Sequence, residues 1–577
     1  MKKLLVYLKD YKKESFLAPL FKMLEASFEL FVPYVVASII DRGIKLQSTS
    51  YIVKMCLVLL LLAAIGMVSA ISAQYFAAKA AVGFSAKLRH AFFEKVQSLS
   101  FSELDSIGTS RLITMMTSDI NTLQNGVNLV LRLFLRSPFI VFGAMIMAFT
   151  IDFKSALIFV AVIPALSIVV FGIMALTVPM FKKVMARLDS ITKITRENLN
   201  GARVIRAFTN EDSEQAEFMR ENASLAALQK ATGRISALLN PLTFAMINIA
   251  IIVLIRAGAL KVNSGELTQG QVVALYNYMS QILVELIKLA NLIVLITKSF
   301  ASANRVSSLL ETESSLEYNS DKSIISDCAV EFSNVSFKFK GASDYSLKNI
   351  NFRARKGQTI GIIGSTGSGK TSLVSLIPHF YDADSGVVSF NGRDVKSYSD
   401  KELRKQIGFV MQNPALFRGT VRKNLLWGAE NASDEQLESA LEKAQIAQTI
   451  REKGGLDFMI EQGGRNLSGG QKQRLAVARA LAGRPCVLIF DDSASALDYA
   501  TEKRLRNEIL NLSYKPTVFI VSQRASSIMH ADKIIVLDEG TAVAEGTHSQ
   551  LLSNCEVYRE IYNTQFKPAD GEVTANG

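Results

Sequence analysis

Cysteine is scarce in this sequence, and its few cysteines are scattered. The 577 residues contain only Cys56, Cys328, Cys486 and Cys555, with no CxxC pair and no spacing typical of metal ligands. This pattern excludes a disulfide framework and a zinc motif. We therefore expect ordinary thiols in a reducing compartment.

The start of the chain also lacks the pattern that predicts a cleavable signal peptide. The opening MKKLLVYLKDYKKES interleaves Leu4, Leu5 and Leu8 with lysines, and no short apolar core with a small-residue cleavage site follows. Such interleaving is typical of an amphipathic helix on a membrane surface. We predict that residues 1–15 form such a helix on the cytoplasmic face.

Apolar residues are abundant, and they are unevenly distributed. The chain is 49% hydrophobic and 20% charged, with a mean hydropathy of +0.23, and its long apolar runs all lie before about residue 300. A chain of this length exceeds one compact core, so we expect a membrane domain joined to a water-soluble one. The net charge of +12 fits cationic loops that face an anionic leaflet. We expect no nucleic-acid partner.

Six segments are long and apolar enough to cross a bilayer, which takes about 20 residues. Lysine and arginine concentrate in two long stretches between them, 79–127 and 179–237, which places these stretches and both termini in the cytoplasm. We therefore predict a multi-pass transmembrane domain at 16–303 in a cell membrane. The candidate spans are 16–40, 52–78, 128–150, 155–178, 238–261 and 271–297.

Several of these spans contain charged residues, which are costly against lipid. Glu25, Glu29 and Glu285 lie too deep to reach the interface easily, so we expect them to face a water-filled cavity or neighbouring helices. If they line a cavity, they favour cationic amphiphiles as substrates. Arg132 and Arg136 fit the alternative, in which a long side chain extends to the membrane surface.

The pattern changes after residue 303. A polar, serine-rich linker occupies 304–328, and AVEFSNVSFKF then alternates apolar and polar residues as a strand does. Strands alternate with helical patterns over 329–565, as in an α/β domain, and 566–577 form a polar tail.

A P-loop lies in this second domain. TIGIIGSTGSGKT is an apolar strand followed by a glycine-rich turn, whose backbone N–H groups cradle phosphates. Lys370 should reach the β- and γ-phosphates of ATP, and the Thr371 hydroxyl should ligate Mg²⁺. The predicted phosphate-binding residues are Gly364, Ser365, Thr366, Gly367, Ser368, Gly369, Lys370 and Thr371. The predicted fold is thus a multi-domain chain, an all-α six-helix transmembrane domain followed by an α/β P-loop NTPase.

A second apolar strand, CVLIFDD, ends on two aspartates. A carboxylate at the end of such a strand holds Mg²⁺ in P-loop enzymes, and we assign this role to Asp491. A strand-end aspartate can also simply cap the next helix, which is the alternative for either residue taken alone.

The run Asn466–Gln471, NLSGGQ, followed by KQRLAVARALAGRP, resembles the signature of the ATP-binding cassette superfamily. Other landmarks of that family match in order. Gln412 resembles the Q-loop glutamine that also ligates the metal, and Phe339 stands where the family has an aromatic that stacks on adenine. Glu461–Gly464 resembles the exporter X-loop. Ser495–Asp498 resembles the D-loop, which implies that Asp498 lies at the nucleotide.

The resemblance covers residues 1–565 and extends into the membrane half. SFSELDSIGTSRLITMMTSDI and ENLNGARVIRAFTNEDSEQAEF resemble the two intracellular loops of type IV exporters. The resemblance implies short coupling helices near 101–107 and 208–216 that dock on nucleotide-binding domains. It also implies transport of a small molecule by alternating access.

Two positions depart from the family pattern. The residue after the metal-binding aspartate is normally a glutamate that activates water, and here it is Asp492. The family's switch histidine is replaced by Gln523, and His530 lies seven residues too late to substitute. One fewer methylene withdraws a carboxylate by about 1.5 Å, and a displacement of about 1 Å can cost roughly a hundredfold in rate. We predict good binding of Mg-ATP and poor hydrolysis.

In this family two cassettes close head to tail, so the signature residues Ser468, Gly469, Gly470 and Gln471 serve the partner's nucleotide. An altered catalytic site beside an intact signature resembles one subunit of a bacterial heterodimeric drug exporter. The expected partner is a second half-transporter. A homodimer with two slow, equivalent sites is the alternative. An importer or a soluble cassette ATPase fits less well, because importers usually keep the two parts on separate chains and soluble relatives lack the spans.

Overall fold

Two units make up the chain in the computed structural model, which describes residues 2–318, 328–493 and 497–566. The first comprises Met1–Gln97 and Ser110–Thr312, and the second comprises Ser98–Thr109 and Glu313–Gly577. Part of the predicted linker, part of the predicted D-loop (Ser495 and Ala496) and the tail from residue 567 lie outside the described residues.

The first unit is helical. A 3₁₀ segment, Lys2–Tyr11, leads directly into the first α-helix, so the predicted helix at 1–15 has no break at its end. Short π-helical turns at Met115–Asp119 and Val130–Phe134 interrupt the third long helix. The α-helices are α1 Lys12–Ser38, α2 Thr49–Ser98, α3 Phe101–Ile107, α4 Thr109–Thr114, α5 Ile120–Leu129, α6 Arg136–Ile151, α7 Phe153–Asn200, α8 Ala202–Ala207, α9 Glu211–Ala237, α10 Leu239–Asn263 and α11 Gln269–Glu311, of which α3 belongs to the second unit.

Within the described chain, six continuous helical stretches are long and apolar enough to cross a membrane. Each contains one of the predicted spans. Small residues such as Ala77, Ala144 and Ala274 are fully buried where the helices approach one another, and the Tyr278 hydroxyl donates to the Leu30 carbonyl at 2.7 Å. The six stretches are Lys3–Ile44, Thr49–Ser98, Thr109–Ile151, Phe153–Asn200, Glu211–Asn263 and Gln269–Glu311.

The expectation that Arg136 reaches the membrane surface is wrong. Arg136 is only 7% exposed, and its guanidinium donates to Glu285 and Glu29, both at 2.6 Å. Glu285 also accepts from Ser137 at 2.8 Å and from Lys288 at 2.9 Å. A buried charge is costly unless a partner neutralises it, and these pairs supply one for each carboxylate.

Glu25 is paired as well, with Lys22 at 2.5 Å. The three glutamates, expected to face a water-filled cavity or neighbouring helices, therefore all have a cationic partner, and Glu29 and Glu285 find theirs on a neighbouring helix. The argument for cationic substrates loses its basis, because it needed uncompensated negative charge.

The second unit is built on a six-stranded sheet of order β12-β11-β3-β10-β9-β6, in which only the edge strand β12 is antiparallel to its neighbour. An antiparallel sheet of order β2-β1-β4-β5 and a small β7-β8 ribbon accompany it. The strands are β1 Cys328–Phe337, β2 Leu347–Arg355, β3 Thr359–Gly364, β4 Ser385–Phe390, β5 Arg393–Asp394, β6 Ile407–Val410, β7 Gly419–Thr420, β8 Met459–Ile460, β9 Val487–Asp491, β10 Thr517–Val521, β11 Lys533–Asp538 and β12 Thr541–Gly546.

Every residue of β3 and β9 is buried, as expected for central parallel strands with both faces covered. Because β3, β10 and β9 are neighbours, the loops at their carboxyl ends meet at one edge of the sheet. The helices of this unit are α12 Lys370–Leu376, α13 Asp400–Lys405, α14 Val421–Leu426, α15 Asp434–Lys443, α16 Ala447–Glu452, α17 Gly469–Ala482, α18 Tyr499–Leu510, α19 Ala525–Ile528, α20 His548–Asn554 and α21 Glu556–Phe566.

The two predicted coupling segments differ in how well the structure matches them. Helix α3 coincides with the predicted 101–107 and belongs to the second unit. The second segment is shifted, because the short helix α8 ends at Ala207 and the long helix α9 starts at Glu211, within the predicted 208–216. Phe208, in the connection between them, is 78% exposed.

Candidate nucleotide site

The P-loop connects β3 to α12, and two of its glycines are required by space. A Cβ on Gly364 would lie 2.1 Å from the Leu537 carbonyl oxygen. Gly369 has φ +94°, and a Cβ there would lie 2.5 Å from the Ser346 carbonyl oxygen. Only glycine allows the backbone to turn this closely, and a glycine-rich turn of this kind binds phosphate oxygens through its backbone N–H groups.

Lys370 lies within the P-loop. Its ammonium donates to the carbonyl oxygens of Gly364 at 2.9 Å and Ser365 at 2.6 Å, and it lies 3.4 Å from the Ser368 hydroxyl. Burial lowers the pKa of Lys370, while the nearby carboxylates of Asp492 and Asp491 oppose that shift. The charge is thus held where phosphate groups of a nucleotide would meet the loop.

Asp491, the last residue of β9, faces the first turn of α12. It is 3% exposed, and its Oδ1 accepts a hydrogen bond from the Thr371 hydroxyl at 2.9 Å. Burial raises the pKa of Asp491, and the bond from Thr371 opposes the shift. A hydroxyl and a carboxylate at this distance are the oxygen donors that Mg²⁺ prefers when phosphates and water complete its shell.

Asp492 follows directly and has an unusual backbone conformation. Its φ is +44°, and its N–H donates to the Val521 carbonyl at 3.1 Å. The Gln412 amide donates to Asp492 Oδ2 at 3.3 Å. Burial raises the pKa of Asp492, and the positive charges of Lys370 and Arg524 oppose the shift. Aspartate tolerates the left-handed region better than most residues, so this geometry suits the residue present.

Gln523 lies just beyond β10 and is exposed at the same edge. Its Oε1 accepts from the Thr366 hydroxyl of the P-loop at 3.4 Å. Together these elements enclose a cavity of about 350 Å³. It is lined by Phe339, Ser346, Thr366, Gly367, Gly369, Lys370, Thr371, Ser372, Gln412, Asp491, Asp492, Val521 and Gln523.

The structure thus brings most predicted site residues to one cavity. Phe339 lies at its wall, 40% exposed and edge-on to Phe337 and Tyr381. Ser346, Ser372 and Val521 also line the cavity, and sequence reasoning missed all three. They carry no motif, because Ser346 contributes through its position beside the loop and Val521 through strand pairing with Ile362 and Asp491.

The signature residues are elsewhere, since none of them lines the cavity described above. Ser468 is the N-cap of α17: its hydroxyl accepts from the Gln471 N–H at 3.3 Å, and its own N–H donates to Gln471 Oε1 at 3.0 Å. Gln471 therefore completes the capping box at the start of α17. Ser468 and Gly469 are exposed. A helix start of this kind, with backbone N–H groups and the positive end of the helix dipole, is typical of sites that bind anions, and the assignment of this turn to a nucleotide stays a prediction.

Asp498 likewise lies outside the cavity lining. It is exposed and caps α18, since its carboxylate accepts from the Thr501 N–H at 2.9 Å. Its assignment to nucleotide binding stays a prediction.

Helix α3 contacts this same unit through aromatic and polar side chains. Phe101 lies 4.5 Å from Phe380 between ring centroids, and the Tyr381 hydroxyl donates to Asp105 at 2.7 Å. The Tyr381 ring is also 5.4 Å from that of Phe339. One residue therefore touches both the wall of the cavity and α3.

Comparison with known proteins agrees with this architecture. The family model for the ABC transporter transmembrane region matches residues 15–286, and the model for the ABC transporter matches 347–495. The uncharacterized ABC transporter ATP-binding protein YfiB of Bacillus subtilis is 34% identical over 570 residues, which cover 98% of this chain and 99% of YfiB. The chain belongs to the ABC transporter family. It is an ABC exporter half-transporter, a transmembrane region fused to an ATP-binding domain, and thus an ATPase coupled to transport.

Two further similarities extend over most of the chain. An ATP-dependent lipid A-core flippase of Desulfotalea psychrophila is 30% identical over 456 residues, 78% of each chain. A solved structure of a bacterial Atm1-family ABC exporter with ATP bound superimposes with a TM-score of 0.81 at 21% identity, covering 97% of this chain and 99% of that one. The predicted fold class, six transmembrane helices followed by an α/β nucleotide-binding domain, is confirmed.

Proposed function

We propose that this half-transporter is the subunit of a heterodimeric exporter whose own ATP site binds nucleotide but hydrolyses it poorly. The observation that carries the proposal is a contrast within the second unit. The exposed signature turn at Ser468–Gly470 is intact, whereas the cavity holds Asp492 and Gln523 where the family has glutamate and histidine.

Nucleotide binding has all of its parts. The P-loop would hold the phosphates through backbone N–H groups and Lys370, Phe339 would stack on adenine, and Thr371 with Asp491 would hold Mg²⁺. Bound Mg²⁺ would neutralise charge on the β- and γ-phosphates. None of these contacts depends on Asp492 or Gln523.

The two residues that depart from the family pattern, Asp492 and Gln523, stand at positions that serve the hydrolytic step. A general base must reach the attacking water, and the Asp492 side chain is about 1.5 Å shorter than a glutamate. Its carboxylate is also engaged by the Gln412 amide at 3.3 Å. Gln523 offers a neutral amide in place of an imidazole. The amide can donate a hydrogen bond, but it cannot take up a proton and become positively charged near the γ-phosphate.

The signature turn would act on the partner's nucleotide. Ser468 and Gly469 of this turn are exposed, and no residue of the turn lines this chain's own cavity. In a head-to-tail pair of cassettes, they would dock on the γ-phosphate held by the partner's P-loop. The main catalytic contribution of this chain would then be made in trans.

Closure of the cassettes would reach the membrane domain through α3. Tyr381 contacts Phe339 and donates to Asp105 of α3. A shift of the Phe339 ring would therefore be transmitted to α3 through Tyr381. ATP binding would drive alternating access because ATP binds the closed state more tightly. Both termini and the ATP-binding domain would lie in the cytoplasm.

The transported compound is proposed to be an amphiphilic molecule, a drug or a lipid. The similarity to a lipid A-core flippase supports this class. The paired state of Glu25, Glu29 and Glu285 supports no preference for cations over neutral or zwitterionic amphiphiles.

The alternative is a homodimer with two equivalent slow sites. To decide, we would purify the full-length chain alone in detergent and measure its mass and ATPase activity, then repeat this after co-expression with a candidate half-transporter from the same genome. The proposal expects low activity alone and stimulation of at least about tenfold in a one-to-one complex. A stable homodimer whose turnover does not rise with the second chain would overturn it.

A further inference from the structure

The last described helix, α21, reaches the loop that carries Gln523. Gln565, near the end of this helix, donates its amide N–H to the Gln523 carbonyl oxygen at 2.8 Å. Its amide oxygen accepts from the Ala525 backbone N–H, also at 2.8 Å. One side-chain amide thus bonds the backbone on both sides of Arg524, using a donor and an acceptor at once.

The base of α21 is firmly anchored. Tyr558 is fully buried in a cluster with Ile363 of β3 and Ile528 of α19. Its hydroxyl lies 2.8 Å from His548 Nδ1, and Arg559 donates to the carbonyls of Leu552 and Ser553 at the end of α20. A helix held in this way presents Gln565 from a fixed position rather than from a mobile loop.

The Gln523 side chain, in contrast, is weakly held. Its contact with the Thr366 hydroxyl is long, at 3.4 Å, and the residue is exposed. The direction in which it points is therefore set mainly by its backbone. That backbone is fixed by Ser522, whose N–H donates to Ile362 at 3.0 Å, and on the other side by Gln565.

We propose that Gln565 is a positioning residue for ATP: it orients the Gln523 loop so that the Gln523 side chain meets the γ-phosphate at the P-loop. The inference rests on the nucleotide site of the proposed function, and it adds to that site a contact from the neutral Gln523 amide to the γ-phosphate, beyond the contacts by which the P-loop, Phe339 and Thr371 with Asp491 would hold any nucleotide. It assigns to α21 a part in distinguishing ATP from ADP, since only ATP carries the group that Gln523 would contact.

A merely structural role predicts a different result. If Gln565 only stabilises the end of α21, its loss lowers the melting temperature and leaves the preference for ATP over ADP unchanged. The positioning role predicts that the preference falls while binding of ADP is retained. Asn563, on the same helix and with no side-chain bond among the described residues, provides a matched control.

The experiment uses the full-length transporter with its partner. This chain is photolabelled with 8-azido-ATP and Mg²⁺ on ice, and ATP and ADP are titrated as competitors while the label on this chain's band is measured. We expect Gln565→Ala and Gln565→Glu to lower the ATP-to-ADP affinity ratio about fivefold, the value of one lost hydrogen bond. Glutamate should fail because it cannot donate to the Gln523 carbonyl. Asn563→Ala should match wild type.

The Gln523→Ala variant separates the two levels of the hypothesis. We expect it to lower the same ratio, and adding Gln565→Ala should lower it no further, because both act through one contact. If Gln523→Ala changes the ratio and Gln565→Ala does not, the positioning role alone is wrong. If Gln523→Ala has no effect, the proposed role of Gln523 fails and this inference fails with it. Equal losses for ATP and ADP would also overturn it.

Discussion

The P-loop cavity and the signature turn of the second unit offer nucleotide two different kinds of contact. The cavity adds side chains that must have the correct length, including Lys370, Asp491 and Asp492. The signature turn offers backbone N–H groups at the start of α17, held in place by the Ser468 cap. Both use the end of a helix, but only the cavity contains residues that depart from the family pattern.

This difference has a physical reason. Backbone donors at a helix start keep their geometry as long as the helix and its cap persist, so they can serve a partner's nucleotide whatever happens at the chain's own site. A general base acts only within hydrogen-bond reach of its water, and one methylene decides whether it does. A chain can therefore lose its own hydrolytic step and keep its contribution to a second site.

The largest expected effect is the replacement of Ser468 by arginine. Ser468→Arg removes the cap and places a bulky cation where the partner's γ-phosphate would dock. We expect ATPase and transport of the assembled exporter to fall about a hundredfold or more. Asp492→Ala should cost less than about twofold, because the proposed asymmetric arrangement gives that carboxylate little part in hydrolysis. ATPase and substrate efflux are measured for both variants, co-expressed with the native partner.

Ser433 supplies the control for this comparison. It caps α15 with the same reciprocal pair of bonds to Gln436, at 3.0 and 3.4 Å. Ser433→Arg should therefore cost helix stability, about 1 kcal/mol, and leave ATPase intact. Equal and severe losses for Ser468→Arg and Asp492→Ala would contradict the asymmetric arrangement and favour two equivalent sites.

A smaller effect is expected for Lys370→Ala. Loss of a charge-assisted contact costs about 1.5–3 kcal/mol, so nucleotide affinity at this chain's own site should fall about ten- to a hundredfold. Transport should be reduced and not abolished, because in the proposed heterodimer the partner's site would keep its chemistry. Subunit-resolved photolabelling measures the affinity, with the exposed Lys401→Ala as control. Complete loss of ATPase would mean that the two sites are strictly coupled.

Restoring the hydrolytic residues should raise activity moderately. Asp492→Glu lengthens the side chain by one methylene. However, φ is +44° at this position, a backbone conformation that glutamate adopts less readily than aspartate. We therefore expect the double variant Asp492→Glu with Gln523→His to raise ATPase by about tenfold at most and the single variant less. Asp492→Asn, which keeps the shape and removes the charge, is the control. Unchanged turnover per transporter in the double variant would show that side-chain reach is not what limits this site.

The smallest effect concerns the contact between Tyr381 and α3. Tyr381→Phe removes the hydrogen bond to Asp105 and keeps the ring beside Phe339. We expect ATP affinity to be unchanged and the ratio of substrate transported to ATP hydrolysed to fall about threefold. Tyr345→Phe, at an exposed tyrosine, should change neither quantity. A fall in ATP affinity with normal coupling would assign Tyr381 to the nucleotide site instead.

Sequence reasoning was least successful where long-range pairing decides the outcome. Arg136 looked like a residue that extends to the membrane surface, because its partners Glu29 and Glu285 are 107 and 149 residues away. The second coupling segment was misplaced for a local reason: 211–216 has a helical pattern, and this pattern continues into the long helix α9. Gln565 gave no signal, since it belongs to no motif and acts 42 residues from Gln523.

What the sequence determined by itself was local chemistry and gross architecture. Apolar length decided the six spans, because hydrocarbon thickness sets a minimum run of apolar residues. The glycine pattern of the P-loop decided its turn, since only glycine permits that approach of backbone atoms. Only the tertiary structure decided which charges neutralise one another inside the helical unit and which residues without motifs line the cavity. It also decided that α21 contacts the loop that carries Gln523. These depend on contacts between distant segments, and such contacts exist only after the chain has packed.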